Sequence, residues 1–216
     1  MKNKNLKNLY LSVSFLFVFA LWTFLLEHID VEAIGPNGSF VGFSTLNSLF
    51  HKTFGVHFTL YFITDWLGLV AVFFMFFFAA LGLFQWIKRK NILKVDFSLL
   101  VLGGFYLLLL AVYLLFEELA INYRPVLINN FLEASYPSST TLLVMTVLPT
   151  TILQFKERIK RPLLKRIVLT SLSLFTAFMV MGRLFSGVHW LSDIIGGALL
   201  GLGLVFLYRF AVGLKE

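Results

Sequence analysis

The sequence predicts an all-α integral membrane protein with six transmembrane helices and both termini in the cytoplasm. Three observations predict this. Of 216 residues, 59% are hydrophobic and 13% charged, 26 are Phe, and the mean hydropathy is +0.88. A soluble domain of this size could not hide so much apolar surface. The apolar residues fall in six runs without the period-two alternation of strands, which leaves helices as the spanning elements. The Lys and Arg residues divide very unequally between the two sets of connections that those runs define.

A helix needs about 20 apolar residues to cross the hydrocarbon core. The runs lie near residues 9–26, 66–86, 97–116, 140–153, 167–184 and 190–208. The first ends at Leu25-Leu26-Glu27, which is no small-residue cleavage site, so it reads as an uncleaved anchor rather than a signal peptide. Residues 28–65 follow, with a turn at Gly35-Pro36-Asn37-Gly38. The stretch 40–58 mixes apolar and polar residues and reads as an amphipathic element on the membrane surface. It would cover a site, admit a lipid tail or simply connect; its His51 and His57 do not share a helical face. The second and third runs are joined by the basic loop 88–94, and the fourth and fifth by the basic loop 156–166. The fourth run is short and opens within a cluster of hydroxyls, Ser135, Tyr136, Ser138, Ser139, Thr140 and Thr141, set around Pro137. The last run carries Gly196, Gly197, Gly201 and Gly203, small-residue spacing that serves helix packing within the chain or a homodimer.

One side of this layout carries 15 of the 18 Lys and Arg residues; the other carries Lys52, Arg124 and Arg183, with eight of the 11 acidic residues. The positive-inside rule assigns the first side to the cytoplasm. The chain is then a single multi-pass domain, 1–216, in the cell membrane, with segments 117–140 and 182–193 on the outer side. The net charge of +7 sits in short clusters between apolar runs, where it meets lipid headgroups, so no nucleic-acid partner is expected. The absence of cysteine removes disulfides, thiolate catalysis and zinc–thiolate sites.

Candidate chemistry gathers in "GRLFSGVHWLSD", residues 182–193. His189 and Asp193 are four apart at the start of the last helix, and so share a face. The carboxylate could take the Nδ1 proton, fix the tautomer and aim Nε2 outward. Arg183, six residues earlier, supplies an anion clamp. The set amounts to a nucleophile, an orienting acid and a cation at one membrane surface. The plainer alternative is a helix cap by Ser192 or Asp193, an interfacial His189, and arginines anchored among headgroups. The hydroxyl cluster has a similar pair of readings. Its residues cap the fourth helix, or its helix N-terminus binds an anion, and the same backbone donors serve both.

The ordered pattern Arg124-Pro125, then Tyr136-Pro137-Ser138-Ser139, then Arg183-x5-His189-x3-Asp193 resembles the type 2 phosphatidic acid phosphatase superfamily of lipid phosphatases. Its motifs are K-x6-R-P, P-S-G-H and S-R-x5-H-x3-D, and the likeness runs from about residue 117 to 193. The resemblance implies a phosphohistidine intermediate on His189, with Asp193 orienting it. Arg124 and Arg183 would bind phosphoryl oxygens, and Ser138 and Ser139 would add hydrogen bonds. No cofactor and no resident metal are implied; Glu117, Glu118 and Asp193 are the one set that could assemble a hard-cation site.

The departures are specific. Glu117 stands where the first motif has Lys, Thr140 where the second has its proton-donating His, and Gly182 where the third has Ser. Losing a general acid typically costs about 10² to 10⁴ in rate. Three expectations follow. A working phosphatase would favour a leaving group that needs no proton, such as the phosphate monoester released from a polyprenyl (for instance undecaprenyl) diphosphate. Glu117 or Glu118, held neutral by burial, would otherwise substitute as acid or base. A weakened relative would bind a phospholipid or isoprenoid phosphate without turnover, as a carrier component or sensor. A structural protein would keep only the fold.

Overall fold

The computed structural model describes residues 2–215, with side chains from residue 5 onward. Among the described residues there are seven α-helices: α1 (Lys2–His28), α2 (Ser44–Phe54), α3 (Phe58–Arg89), α4 (Phe97–Leu119), α5 (Ser139–Arg158), α6 (Pro162–Phe185) and α7 (Leu191–Val212). There is no strand among the described residues, only isolated bridges in two loops. Five helices, α1, α3, α4, α6 and α7, are long and apolar enough to cross a membrane.

α5 differs, and its surroundings explain why. It packs against α3, α4, α6 and α7, so little of it needs to face lipid. Thr141, Thr146, Thr150, Thr151 and Gln154 are all buried on it. Thr146 and Thr150 return their hydroxyls to the Leu142 and Thr146 carbonyls, at 2.7 and 2.9 Å, so polar side chains are tolerated inside the bundle. α5 runs from one end of the bundle to the other. The backbone N–H of Ser138, at its start, donates to the Asp193 carbonyl, while Arg158, in its last turn, pairs with Asp96 at 2.9 Å. It extends well past the short run 140–153 that hydropathy marks out.

The molecule is inside-out relative to a soluble protein. Phe17, Phe73, Phe76, Leu107 and Leu174 lie on the exterior, whereas Arg124, Arg183, His189 and Asp193 are buried. The α7 glycines are used within the chain. A Cβ on Gly197 would come within 3.1 Å of Thr141 Cβ, one on Gly201 within 2.8 Å of Met145 Cβ, and one on Gly203 within 2.7 Å of Leu16. They let α5 and α1 approach α7 closely, which is the packing use of such spacing.

α3 begins at Phe58, two turns before the apolar run that marks it in the sequence, and those turns carry Tyr61 and Asp65. Its 32 residues span about 48 Å, well beyond a 30 Å hydrocarbon core. α2 is the amphipathic element expected in 40–58. Its Asn47 side chain donates to Ser192 Oγ at 2.9 Å and accepts from the Ser192 N–H at 3.1 Å, so α2 grips the first turn of α7. The expected turn at Pro36–Gly38 is present, closed by the bridge between Glu32 and Val41.

Candidate active site

Three connections meet at one end of the bundle. The first, between α4 and α5, folds back on itself. Asn129 and Asn130 take left-handed φ values of 49° and 67°, and Ile128 and Phe131 exchange backbone hydrogen bonds across them. Asparagine tolerates that conformation better than most residues. The Arg124 N–H donates to the Glu133 carbonyl at 3.0 Å, and the Ser135 N–H to the Asn122 carbonyl at 2.8 Å. The hairpin thus faces Arg124 toward Glu133. The second connection is the α6–α7 link, residues 186–190, which carries His189. It turns at Gly187, where φ is +68° and a Cβ would meet the Gly55 carbonyl oxygen at 2.0 Å. The third is the entry to α3, whose His57 N–H donates to the Ser186 carbonyl at 2.8 Å. Val188 packs with Tyr61 and Ile128, joining all three.

His189 is enclosed, with 2% of its surface exposed. Nη1 of Arg124 and Nη2 of Arg183 each lie 3.3 Å from its Nε2. A guanidinium can only donate, so Nε2 is the acceptor and the proton sits on Nδ1. Burial, reinforced by the charges of Arg124 and Arg183, holds the imidazole pKa well below its ordinary value. The ring is therefore a neutral base whose lone pair points between two cations. Two guanidiniums converging on a basic ring nitrogen form an arrangement suited to bidentate oxyanion contact.

Asp193 stands with Oδ2 3.7 Å from His189 Nδ1, longer than a hydrogen bond. The same oxygen accepts the Trp190 N–H at 2.9 Å, and Oδ1 accepts Asn122 Nδ2 at 3.4 Å. Both sequence readings of Asp193 therefore coexist: it caps α7 and faces the imidazole. Catalytic hydrogen bonds commonly tighten only when substrate is bound.

The arginines are supported from behind. The Tyr61 ring centroid is 4.7 Å from the Arg183 guanidinium and 5.8 Å from that of Arg124. Arg183 pairs with Asp65 at 3.5 Å and Arg124 with Glu133 at 3.0 Å. Tyr61, Asp65, Asn122 and Glu133 are absent from the sequence-based site. The Asn129-Asn130 turn was a readable signal for Glu133, because it forecasts a hairpin returning toward Arg124. Nothing in the apolar runs marks Tyr61 or Asp65, which hydropathy leaves outside the span.

A cavity of about 220 Å³ opens beside His189, lined by Arg124, Glu117, Glu133, Ser135, Ser139 and a wall of Tyr113, Phe116 and Leu142. Ser139 therefore reaches the cavity. Ser138 does not line it: its side chain is fully buried, its Oγ makes no hydrogen bond, and it does not cap α5. Thr140 turns away toward α3, its methyl 3.7 Å from where a Gly68 Cβ would stand. Glu117 lines the cavity and is exposed, while Glu118 is exposed outside it. Asp193 is fully buried, so Glu117, Glu118 and Asp193 do not converge, and among the described residues no three His, Cys, Asp or Glu side chains do. Gly182 has a packing reason: a Cβ there would lie 2.6 Å from the Thr64 methyl.

Buried polar atoms without partners concentrate here. Arg183 Nε and the hydroxyls of Ser138 and Thr141 lack a hydrogen bond. Such atoms are costly unless water or a ligand satisfies them.

Residues 115–214 match the family model described as the PAP2 superfamily. The fold is similar to the crystal structure of a transmembrane PAP2-type phosphatidylglycerolphosphate phosphatase from Bacillus subtilis. The TM-score is 0.61 and the identity 22%, over 96% of each chain. No curated protein sequence matches the chain.

Proposed function

From the match of residues 115–214 to the PAP2 superfamily model, we propose that this multi-pass membrane protein is a lipid phosphatase of that family, working through a phosphohistidine on His189. The observation that carries the reading is the convergence of Arg124 and Arg183 on the Nε2 of a neutral, buried imidazole. In the proposed reaction Nε2 attacks phosphorus, the bond from phosphorus to the leaving oxygen breaks, and the two guanidiniums hold the equatorial oxygens. Water then attacks the phosphohistidine and releases inorganic phosphate. As the ring gains positive character, Asp193 accepts the Nδ1 proton in a hydrogen bond and balances the charge.

No histidine other than His189 lines the cavity, and Thr140 faces α3. This favours substrates whose leaving group needs no proton. A polyprenyl diphosphate, such as the undecaprenyl form, expels a phosphate monoester, a far better leaving group than the alkoxide from phosphatidate. The site is proposed to face outside the cytoplasm of the cell membrane, with α5 as a sixth span. Ser139 and the first N–H groups of α5 would add contacts to the phosphate.

The test is phosphate release by the purified chain from phosphatidate, phosphatidylglycerolphosphate, a prenyl monophosphate and a prenyl diphosphate. The diphosphate is expected to turn over fastest, and His189→Ala to lose at least about 10³-fold. Binding without release would instead identify a carrier or sensor.

A further inference from the structure

Glu117 is out of place. It ends α4 in the sequence Leu114-Leu115-Phe116-Glu117, in a last turn without a basic residue. Negative charge is unfavourable at a helix C-terminus, where the carbonyls already present partial negative charge. Here the side chain lines the cavity that holds His189 and Arg124, yet makes no ion pair or hydrogen bond with any described residue. Glu133, the other carboxylate on that cavity, is already paired with Arg124 at 3.0 Å. Glu117 is exposed at the cavity edge rather than buried. The same cavity is lined by Arg124, whose guanidinium also reaches His189 Nε2 at 3.3 Å.

The cavity therefore brings together an arginine suited to anion binding and an unpaired carboxylate, on a lining shared with Tyr113 and Phe116. A purely anionic ligand would be repelled by that carboxylate. Resting on the phosphatase reading above, we propose that the ligand brings a positive charge next to its phosphate, and that Glu117 binds this cation and selects for it. Aromatic faces add to such recognition. Two sources supply the same chemistry. One is an ammonium group on the lipid headgroup. The other is a divalent cation carried by a diphosphate, since magnesium is commonly held by one or two carboxylates together with substrate phosphates.

The experiment measures phosphate release by the full-length chain in detergent micelles. One arm compares a phosphatidate with a matched lipid phosphate bearing a primary amine beside the phosphate. The other compares a prenyl diphosphate in magnesium with the same substrate in EDTA. The wild type is expected to prefer the amine-bearing or the magnesium-loaded member of its pair, which identifies the source. Glu117→Gln should reduce that kcat/KM ratio roughly tenfold, the scale of one hydrogen bond to a charged group. Glu117→Lys should invert the preference toward plain anionic substrates. Release that depends on His189 but shows neither preference, or a preference that survives both substitutions, overturns the inference and leaves the phosphatase reading standing. If a titration with the amine-bearing lipid phosphate and the magnesium-loaded diphosphate shows no release from any substrate and no binding weakened by Glu117→Gln, both fall. Binding without release that Glu117→Gln weakens retains the cation site and rejects turnover.

Discussion

At the scale of single residues, the site depends on where charge is placed around one imidazole. Arg183 is fully buried, lies against the Tyr61 ring, and reaches His189 while pairing with Asp65. A lysine keeps the charge but loses the planar fork, the stacking and the second donor. Arg183→Lys is therefore expected to lower kcat/KM about 10²-fold or more, read as phosphate release at subsaturating substrate. The pH dependence follows from the lowered pKa of His189. A lowered pKa means that the folded protein does not protonate the ring until the pH is well below 6.5. The proposed nucleophile therefore stays competent as pH falls through that value. After correction for substrate ionisation, the acid limb of kcat/KM should lie below pH 6.5; a limb at or above it would show that the ring titrates normally. Most of this set is legible in sequence, because His189, Asp193 and Arg183 share one short motif and a helical spacing. Tyr61 and Asp65 are not legible, because contacts across more than a hundred residues leave no local pattern.

At the scale of elements, α5 and α7 form the centre on which the site is mounted. The Ser138 N–H to Asp193 carbonyl bond joins their first turns, and Gly197 and Gly201 bring their axes together below it. Gly201→Val should force Met145 aside and cost about 1–3 kcal/mol, as overpacking typically does. Thermal unfolding in detergent would show the loss. Size-exclusion chromatography with light scattering should show an unchanged oligomeric state, because these glycines are filled from within the chain. A change of oligomer instead would assign them to a subunit interface. The sequence offers the glycine spacing but not its partner, since small residues serve contacts within and between chains alike. α2 teaches the same lesson. Its amphipathic pattern is readable, but the pattern equally fits a surface float or a lid. Only the Asn47–Ser192 bonds show that it buttresses the link carrying His189.

At the scale of the whole molecule, the proposed sidedness rests on charge. The absence of cysteine makes it straightforward to test by introducing one thiol at a time. Phe131→Cys, at the exposed tip of the α4–α5 hairpin, should react with a membrane-impermeant maleimide in intact cells. Lys160→Cys, in the α5–α6 loop, should react only after permeabilisation. Labelling of both from one side would mean that α5 does not span. By itself the sequence determined the membrane environment, the helical class, five of the spanning segments, the turn at Pro36–Gly38 and the Arg–His–Asp motif. Each is written locally, in hydropathy, in dihedral preference or in spacing along one helix. Tertiary structure alone decided that α5 is central although its hydropathy is weak, because neighbouring helices rather than lipid surround its threonines. It alone decided that Glu117 shares a cavity with His189 while Thr140 does not, because that depends on how far α4 is set from α5. It alone brought Glu133, Tyr61 and Asp65 to the arginines, because opposite charges and ring faces meet through packing, which sequence distance does not encode.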